Sequence, residues 1–202
     1  NGILYRELGT LYGAATGDAP AALADLPIQY ADFADWQRRT LAGQALEGPL
    51  AYWKGQLAGA PPFLELPTDH PRPSVQNYRG ARVVTTLPPD LTERLAAIGR
   101  AEGATPFMTL LAALNAWLGR YTGQDDVVVG SPIAGRDRVE TEGLIGFFVN
   151  TLALRASLSG NPSFRTLLGR LLAAALGAYA HQELPFEKLL EELRPERSLN
   201  HS

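Results

Sequence analysis

The stretch Ile145–Arg155, "IGFFVNTLALR", is the part of the sequence that decides the fold class. Read with the two-residue period of a β-strand, it places apolar side chains on both faces, which is typical of a strand covered on both sides. Asn150 and Thr151 interrupt the apolar run. Because a buried polar group without a partner costs about 1–3 kcal/mol, we expect both side chains to be tied to a neighbouring loop, and residue chemistry alone favours a purely structural role.

Helical and extended patterns alternate around this strand. A 3.6-residue apolar period indicates a helix, a short apolar run bounded by turn residues indicates a strand, and a proline-rich stretch without a period indicates an irregular crossing. Strands separated by helices predict an α/β protein in which helices pack on a sheet. By these rules helices are predicted at 1–15, 28–43, 46–59, 88–103, 105–121, 161–180 and 185–193, and a crossing at 60–80. Strands are predicted at 81–87 and 145–155, and a short buried strand that runs into a Gly/Pro loop is predicted within 125–136.

The helix at 105–121 has the clearest start signal in the chain. Thr105 is a good N-cap residue and Pro106 follows at the first helical position. The spacing predicts that the apolar side chains of this helix share one stripe, consisting of Phe107, Leu110, Leu111, Leu114, Trp117, Leu118 and Tyr121.

Composition and charge exclude several classes of function. The chain has 202 residues, 46% of them hydrophobic, and 18 basic against 21 acidic residues, so neither a nucleic-acid surface nor a polybasic membrane patch is indicated. It has no cysteine, which excludes disulfides and thiolate nucleophiles and fits a cytoplasmic location. The histidines, His70, His181 and His201, lack the spacing of a helical zinc site, so no metal site is predicted.

The ends of the sequence suggest a piece of a longer protein. The chain begins inside an amphipathic helical pattern, without an initiator methionine or a cap. We therefore expect residues 1–202 to form one compact unit, truncated at both ends.

Residue chemistry alone does not yield a complete catalytic set. His70 reads as a surface-loop residue, and His181 reads as a cap at the C-terminus of the preceding helix. Arg136 is evenly balanced between two interpretations. It follows a strand in a Gly/Pro loop, where α/β proteins place ligand sites, but it also fits an exposed arginine paired with Asp137 or Glu140.

Four blocks, taken in order, resemble the condensation domains of non-ribosomal peptide synthetases. They are "YADFADW" at 30–36, "PIAGR" leading into "IGFFVNTLALR", "HQELPFEKL" at 181–189, and "RSLNHS" at 197–202. Together they span nearly the whole chain. The residues that match the family patterns are Tyr30, Asp32, Phe33, Trp36, Gly146, Phe148, Val149, Asn150, Thr151, Arg155, His181, Gln182, Pro185, Phe186 and Glu187.

The resemblance implies a chloramphenicol-acetyltransferase-like lobe, a mixed sheet packed with helices, that is mostly the C-terminal lobe of a two-lobed enzyme. The expected reaction joins aminoacyl or peptidyl thioesters carried on the phosphopantetheine of carrier proteins, and the domain itself is expected to bind no cofactor. Its expected partners are a donor and an acceptor carrier protein, an adenylation domain in the same polypeptide and the missing N-terminal lobe, without nucleic acid or membrane.

The same resemblance implies roles for two residues. The family's catalytic histidine lies in a His-His-x-x-x-Asp-Gly motif that this chain does not contain, so no catalytic residue is predicted here and the chain alone is expected to be inactive. Arg136 is expected to pair with the aspartate of that motif. Asn150 is expected to be bonded by neighbouring backbone and to shape the substrate tunnel, and the other matching residues are expected to be structural.

Two other functions stay open. One is a non-catalytic docking lobe that binds carrier proteins or tailoring enzymes, and the other is an acyltransferase of the same superfamily with a free alcohol or amine as acceptor. The presence or absence of the histidine motif upstream would distinguish a docking lobe from a condensing enzyme. The domains that flank the chain would distinguish an acyltransferase with a free acceptor from a condensing enzyme. The exposed face between the lobes is also expected to make the isolated chain associate.

Overall fold

The structure, a computed structural model, describes residues 2–17, 20, 23–71 and 80–194 and consists of helices packed around a small sheet. The α/β class predicted from the sequence is confirmed. No helix in these ranges is long and apolar enough to cross a membrane. In chain order the elements are α1 (Gly2–Thr16), α2 (Tyr30–Thr40), α3 (Gln44–Leu57), α4 (Pro89–Ala101), α5 (Pro106–Thr122), β1 (Asp126–Ile133), α6 (Val139–Glu142), β2 (Asn150–Ser157), α7 (Phe164–Ala180) and α8 (Phe186–Leu193).

The sheet of the described region has two antiparallel strands, β1 and β2, whose register runs from Asp126 opposite Ser157 to Ile133 opposite Asn150. Residues 145–149 have no ladder partner because β1 ends opposite Asn150. The strand predicted at 145–155 therefore begins at Asn150, so the polar pair stands at its start instead of its middle. Phe147 is 71% exposed. The prediction that both faces of the stretch 145–155 are covered is therefore wrong for residues 145–149.

The core lies where α5 and α7 pack against the sheet. Thr105 caps α5 as predicted, since its hydroxyl oxygen accepts a hydrogen bond from the Met108 N–H at 3.2 Å. The single apolar stripe predicted for α5 is wrong, because two faces of the helix carry apolar residues. The inner face is buried, with Met108, Leu111, Ala112 and Leu118, whereas five residues of the predicted stripe are exposed: Phe107, Leu110, Leu114, Trp117 and Tyr121.

Three other elements differ from the sequence-based prediction. Residues 81–87 form no strand, and Val83 is 94% exposed, because no neighbouring strand is present in the described region to pair with this segment. The helix expected from Asn161 begins at Phe164, since the hydroxyl of Ser163 accepts from the Thr166 N–H and provides the cap. The short helix α6 was not predicted. The described part of the 60–80 crossing is irregular, as expected.

Arg155 ties the sheet to the end of α3. Its guanidinium donates to both carboxylate oxygens of Asp126, at 2.9 and 2.6 Å, and to the carbonyl oxygens of Gln56 and Ala58, at 3.0 and 2.8 Å. The hydrogen bond to Asp126 raises the pKa of Arg155 above its ordinary value. This motif residue therefore holds the strand, its neighbour and the helix in one arrangement.

We expect Arg155→Lys to lower the free energy of unfolding by about 2 kcal/mol, because an ammonium group cannot reproduce the planar fork that reaches four oxygens. Urea denaturation monitored by circular dichroism measures the change. Arg165→Lys is the matched control, because Arg165 makes one exposed ion pair with Glu102 and should lose less than about 0.5 kcal/mol. Equal losses in the two variants would contradict this assignment.

Candidate functional site

Three of the four motif blocks line a single cleft of about 430 Å³. The fourth block, at 197–202, lies outside the described residues. The cleft is formed by α2, the loop after β1, the segment before β2, and the turn that joins α7 to α8. The motif residues that line it are Tyr30, Phe33, Trp36, Phe148, Val149, Asn150, Gln182, Pro185 and Glu187.

The α2 face of the cleft packs on the segment before β2. The Tyr30 hydroxyl donates to the carbonyl oxygen of Phe147 at 2.8 Å. The Phe148 ring packs against Tyr30 and Phe33, with centroids 5.2 and 4.8 Å apart. Gly146 is required beneath Tyr30, because a Cβ there would overlap the phenol ring. The aromatic residues of one motif thus fix the path of the other.

Asp32, a motif residue on α2, does not face the cleft. Its carboxylate accepts from the Gln29 N–H at 2.8 Å and forms a capping box at the start of α2. This contact satisfies an otherwise unpaired N-terminal donor and places a negative charge at the positive end of the helix. The role of Asp32 in the described structure is to set where α2 begins.

Arg136 is held by carbonyl groups beside the cleft. One guanidinium nitrogen donates to the carbonyl oxygen of Thr141, and the other donates to that of Leu144 at 2.9 Å. The guanidinium carbon lies 4.1 Å from the centroid of the Phe148 ring, a cation–π contact. The pairing with Asp137 or Glu140 that the sequence left open is therefore wrong. Instead, Arg136 braces the loop of α6 against Phe148.

Asn150 is saturated with hydrogen bonds to backbone groups. Its Nδ2 donates to the carbonyl oxygens of Gln182 and Leu184, both at 2.8 Å. Its Oδ1 accepts from the N–H groups of Thr151 and Phe186, at 2.8 and 2.9 Å. An asparagine has two amide donors and one carbonyl acceptor with two lone pairs, so all four positions are filled. These contacts show why this polar residue is stable at the start of an apolar strand.

Thr151 contrasts with its neighbour. No hydrogen bond of the Thr151 hydroxyl is found among the described residues, and its methyl group lies near Gly130 on the adjacent strand. The two polar residues of the motif therefore differ in kind. Asn150 connects the strand to a distant turn, while Thr151 packs within the sheet.

His181 lies behind the cleft and ends α7, as predicted. Its Nδ1 is 2.9 Å from the carbonyl oxygen of Gly177, and its ring stacks on Tyr52 with centroids 4.0 Å apart. The buried indole of Trp53 donates to the His181 carbonyl oxygen at 3.0 Å. Burial raises the pKa of the Tyr52 phenol. These contacts fasten α3 to the turn that Asn150 also holds.

Arg138 is a cleft residue that the sequence reasoning missed. Its guanidinium carbon lies 4.2 Å from the centroid of the Trp36 ring, so it covers one wall of the cleft. The sequence feature that could have identified Arg138 is the pair of arginines in "GRDR" at 135–138. The two arginines, separated by one residue, contact different rings of the same cleft, Arg136 the ring of Phe148 and Arg138 that of Trp36.

The cleft can position an apolar group between aromatic walls. Charged side chains, Asp137, Arg138, Glu183 and Glu187, line it, but none of its described lining residues is a histidine. In the described part of the chain no three histidine or carboxylate side chains converge in a way that could hold a metal ion. The cleft therefore offers a bound group aromatic walls, hydrogen-bonding side chains and a limited volume.

Comparison with known proteins gives a consistent family. The Condensation domain model matches residues 1–202. The chain is 58% identical, over 99% of its length, to a linear gramicidin synthase polypeptide of Brevibacillus parabrevis, of which it spans 3%.

Two solved structures share the fold. The X-domain in its complex with OxyB from teicoplanin biosynthesis matches with a TM-score of 0.92 at 30% identity, over 99% of this chain and 45% of that one. The first condensation domain of the calcium-dependent antibiotic synthetase, bound to a substrate analogue, matches with a TM-score of 0.68 at 27% identity, over 95% and 44%. The chain thus spans less than half of either solved chain.

Proposed function

The chain belongs to the condensation-domain family, and from this premise we propose that it is part of a domain that forms peptide bonds between carrier-bound thioesters. The observation that carries the proposal is the convergence of three motif blocks on one cleft, at Tyr30–Trp36, Gly146–Asn150 and Gln182–Glu187. The 58% identity to a gramicidin synthase polypeptide supports peptide synthesis as the reaction class.

In the proposed reaction the amine nitrogen of the acceptor attacks the carbonyl carbon of the donor thioester. A C–N bond forms, the C–S bond breaks, the donor phosphopantetheine leaves as a thiol, and the proton lost by the amine passes to that sulfur. The domain binds no cofactor of its own in this scheme. The donor and acceptor carrier proteins, an adenylation domain of the same cytoplasmic polypeptide and an N-terminal lobe are the proposed partners.

The proposed contribution of this chain is to shape the site. Asn150 joins β2 to the turn at 182–186, and Arg136 joins Phe148 to the loop at 141–144, so both fix the backbone around the cleft. In the assembled domain we propose that Arg136 also faces the aspartate of the His-His-x-x-x-Asp-Gly motif. Residues 1–202 do not contain that motif, and alone they are not expected to catalyse the reaction.

The docking function is a second candidate, favoured by one observation. The X-domain matches this chain with a higher TM-score than the condensation domain of the antibiotic synthetase, 0.92 against 0.68. That X-domain was solved in complex with OxyB. A lobe with the same shape is therefore compatible with binding a partner protein.

A single-turnover assay separates the two candidates. The full polypeptide containing residues 1–202 is mixed with a donor and an acceptor carrier protein, each loaded with an aminoacyl group, and the acceptor is analysed by mass spectrometry. We expect a dipeptidyl acceptor with the full polypeptide and unchanged carriers with residues 1–202 alone. If the carriers stay unchanged with the full polypeptide, while a carrier protein or tailoring enzyme binds to it measurably, docking replaces condensation as the proposed function.

A further inference from the structure

A second cavity lies beside the cleft and shares a wall with it. The cleft has a volume of about 430 Å³ and the second cavity one of about 280 Å³. Three residues line both, Phe33, Trp36 and Arg138, and we call them the shared wall. The ring centroids of Phe33 and Trp36 are 5.8 Å apart, and the guanidinium carbon of Arg138 lies 4.2 Å from the centroid of the Trp36 ring.

The second cavity offers mainly apolar surface to an incoming group. Its polar residues Asp32 and Thr141 already have hydrogen bonds, because the Asp32 carboxylate caps α2 and the Thr141 hydroxyl donates to the Arg138 carbonyl oxygen at 2.7 Å. Glu140, which also lines the cavity, is exposed. The side chains that remain are those of Ile28, Phe33 and Trp36, and such a lining suits an aromatic or branched aliphatic group.

The Arg138 side chain is the part of the shared wall that is held most weakly. Its backbone is fixed, since its carbonyl oxygen accepts from the N–H and the hydroxyl of Thr141 at the start of α6. Its guanidinium has no hydrogen bond or ion pair within residues 2–17, 20, 23–71 and 80–194, and contacts the Trp36 ring only through a cation–π interaction. Removing this side chain can therefore open the wall without displacing the loop.

We propose that Arg138 determines how large an apolar group the cleft accepts, because it closes the second cavity off from the cleft. The identity of that group, the side chain of a carrier-bound aminoacyl substrate, rests on the proposed function. The cleft alone lies near the lower end of the ~300–1,000 Å³ range of ligand pockets, whereas the two cavities joined would lie well inside that range. With Arg138 in place, a fused aromatic ring system is disfavoured relative to a small side chain.

Equilibrium dialysis tests the size limit without depending on catalysis. The probes are N-acetyl-2-naphthylalanine amide and N-acetylalanine amide, and the protein is the full polypeptide. We expect Arg138→Ala to bind the naphthyl probe about tenfold more tightly than the wild-type protein does, and the alanine probe within about twofold. Arg39→Ala is the matched control, because Arg39 is an exposed arginine of α2 that pairs with Asp35 and lines neither cavity, so both affinities should stay within about twofold.

Arg138→Met separates the cover that Arg138 provides from its charge. A methionine side chain is long enough to lie over the Trp36 ring but is neutral, so we expect this variant to keep the wild-type preference. Melting temperatures within about 2 °C of the wild-type value show that both Arg138 variants are folded. Equal affinity of Arg138→Ala and the wild-type protein for the naphthyl probe would overturn the proposal. So would a methionine variant that binds like the alanine variant, because charge instead of cover would then set the preference.

A competition assay connects the size limit to the proposed reaction. The single-turnover mixture receives equal amounts of acceptor carriers loaded with alanine and with 2-naphthylalanine, and a second run offers the same pair on the donor carrier. We expect Arg138→Ala to raise the ratio of naphthylalanine to alanine in the product about tenfold in one of the two runs. An unchanged ratio in both runs would show that the group in the cleft is not a substrate side chain. No dipeptide from the wild-type protein in any run would refute the condensation reaction, and the dialysis result would still decide whether Arg138 closes the wall.

Discussion

Replacing Asn150 by leucine is expected to lower the free energy of unfolding by about 3 kcal/mol and to reduce condensation by the intact domain severalfold or more. The substitution removes four hydrogen bonds at once. It leaves the carbonyl groups of Gln182 and Leu184 and the N–H of Phe186 without their partner, at a part-buried position. Since the turn at 182–186 lines the cleft, its displacement changes the shape of the proposed site as well as the stability.

Thr151→Val is the matched control for this prediction. The substitution removes the other polar group of the same motif, one residue away. The hydroxyl of Thr151 has no hydrogen bond among the described residues. We expect a change below about 1 kcal/mol, because no partner is left unpaired. Urea denaturation gives the stabilities, and the single-turnover assay gives the activities. Unchanged turnover in Asn150→Leu would show that Asn150 does not shape the proposed site.

Gly135→Ala is expected to destabilise the protein by about 4 kcal/mol, for two separable reasons. Gly135 has a φ of 55°, a left-handed conformation that costs an alanine about 1 kcal/mol or more. In addition, a Cβ at this position would overlap the carbonyl oxygen of Phe148, a backbone atom that cannot rotate away. The loop carrying Arg136 would have to move off Phe148, and we expect condensation by the intact domain to fall with it.

Gly160→Ala separates the two contributions. Gly160 has a similar left-handed φ of 79°, but no atom lies within 4 Å of the position that a Cβ would occupy there. It should therefore lose only the conformational cost of about 1 kcal/mol. Thermal melting of both variants measures the difference. A loss at Gly135 no larger than that at Gly160 would show that the close approach to Phe148 is not tight in solution.

Local signals predicted much of the architecture correctly. The cap at Thr105, the helices that became α2, α3 and α4, and the strand that became β1 all followed from residues close together in the chain. The prediction for 81–87 failed because a strand exists only with a partner, and none is present in the described region. The prediction of a single buried stripe on α5 failed for a related reason, since periodicity shows that a helix face is apolar but does not show what covers it.

The sequence by itself determined the α/β class, the places where most helices begin and end, and the motif residues that belong to a condensation domain. These features depend on side chains a few positions apart, whose spacing is written directly in the chain. Only the tertiary structure decided that Asn150 bonds the turn 32 to 36 residues away, that Arg136 binds carbonyl groups instead of Asp137 or Glu140, and that three motifs line one cleft. The partner of a polar group across such distances depends on how the elements pack, because any nearby backbone or side chain of the right chemistry can satisfy it.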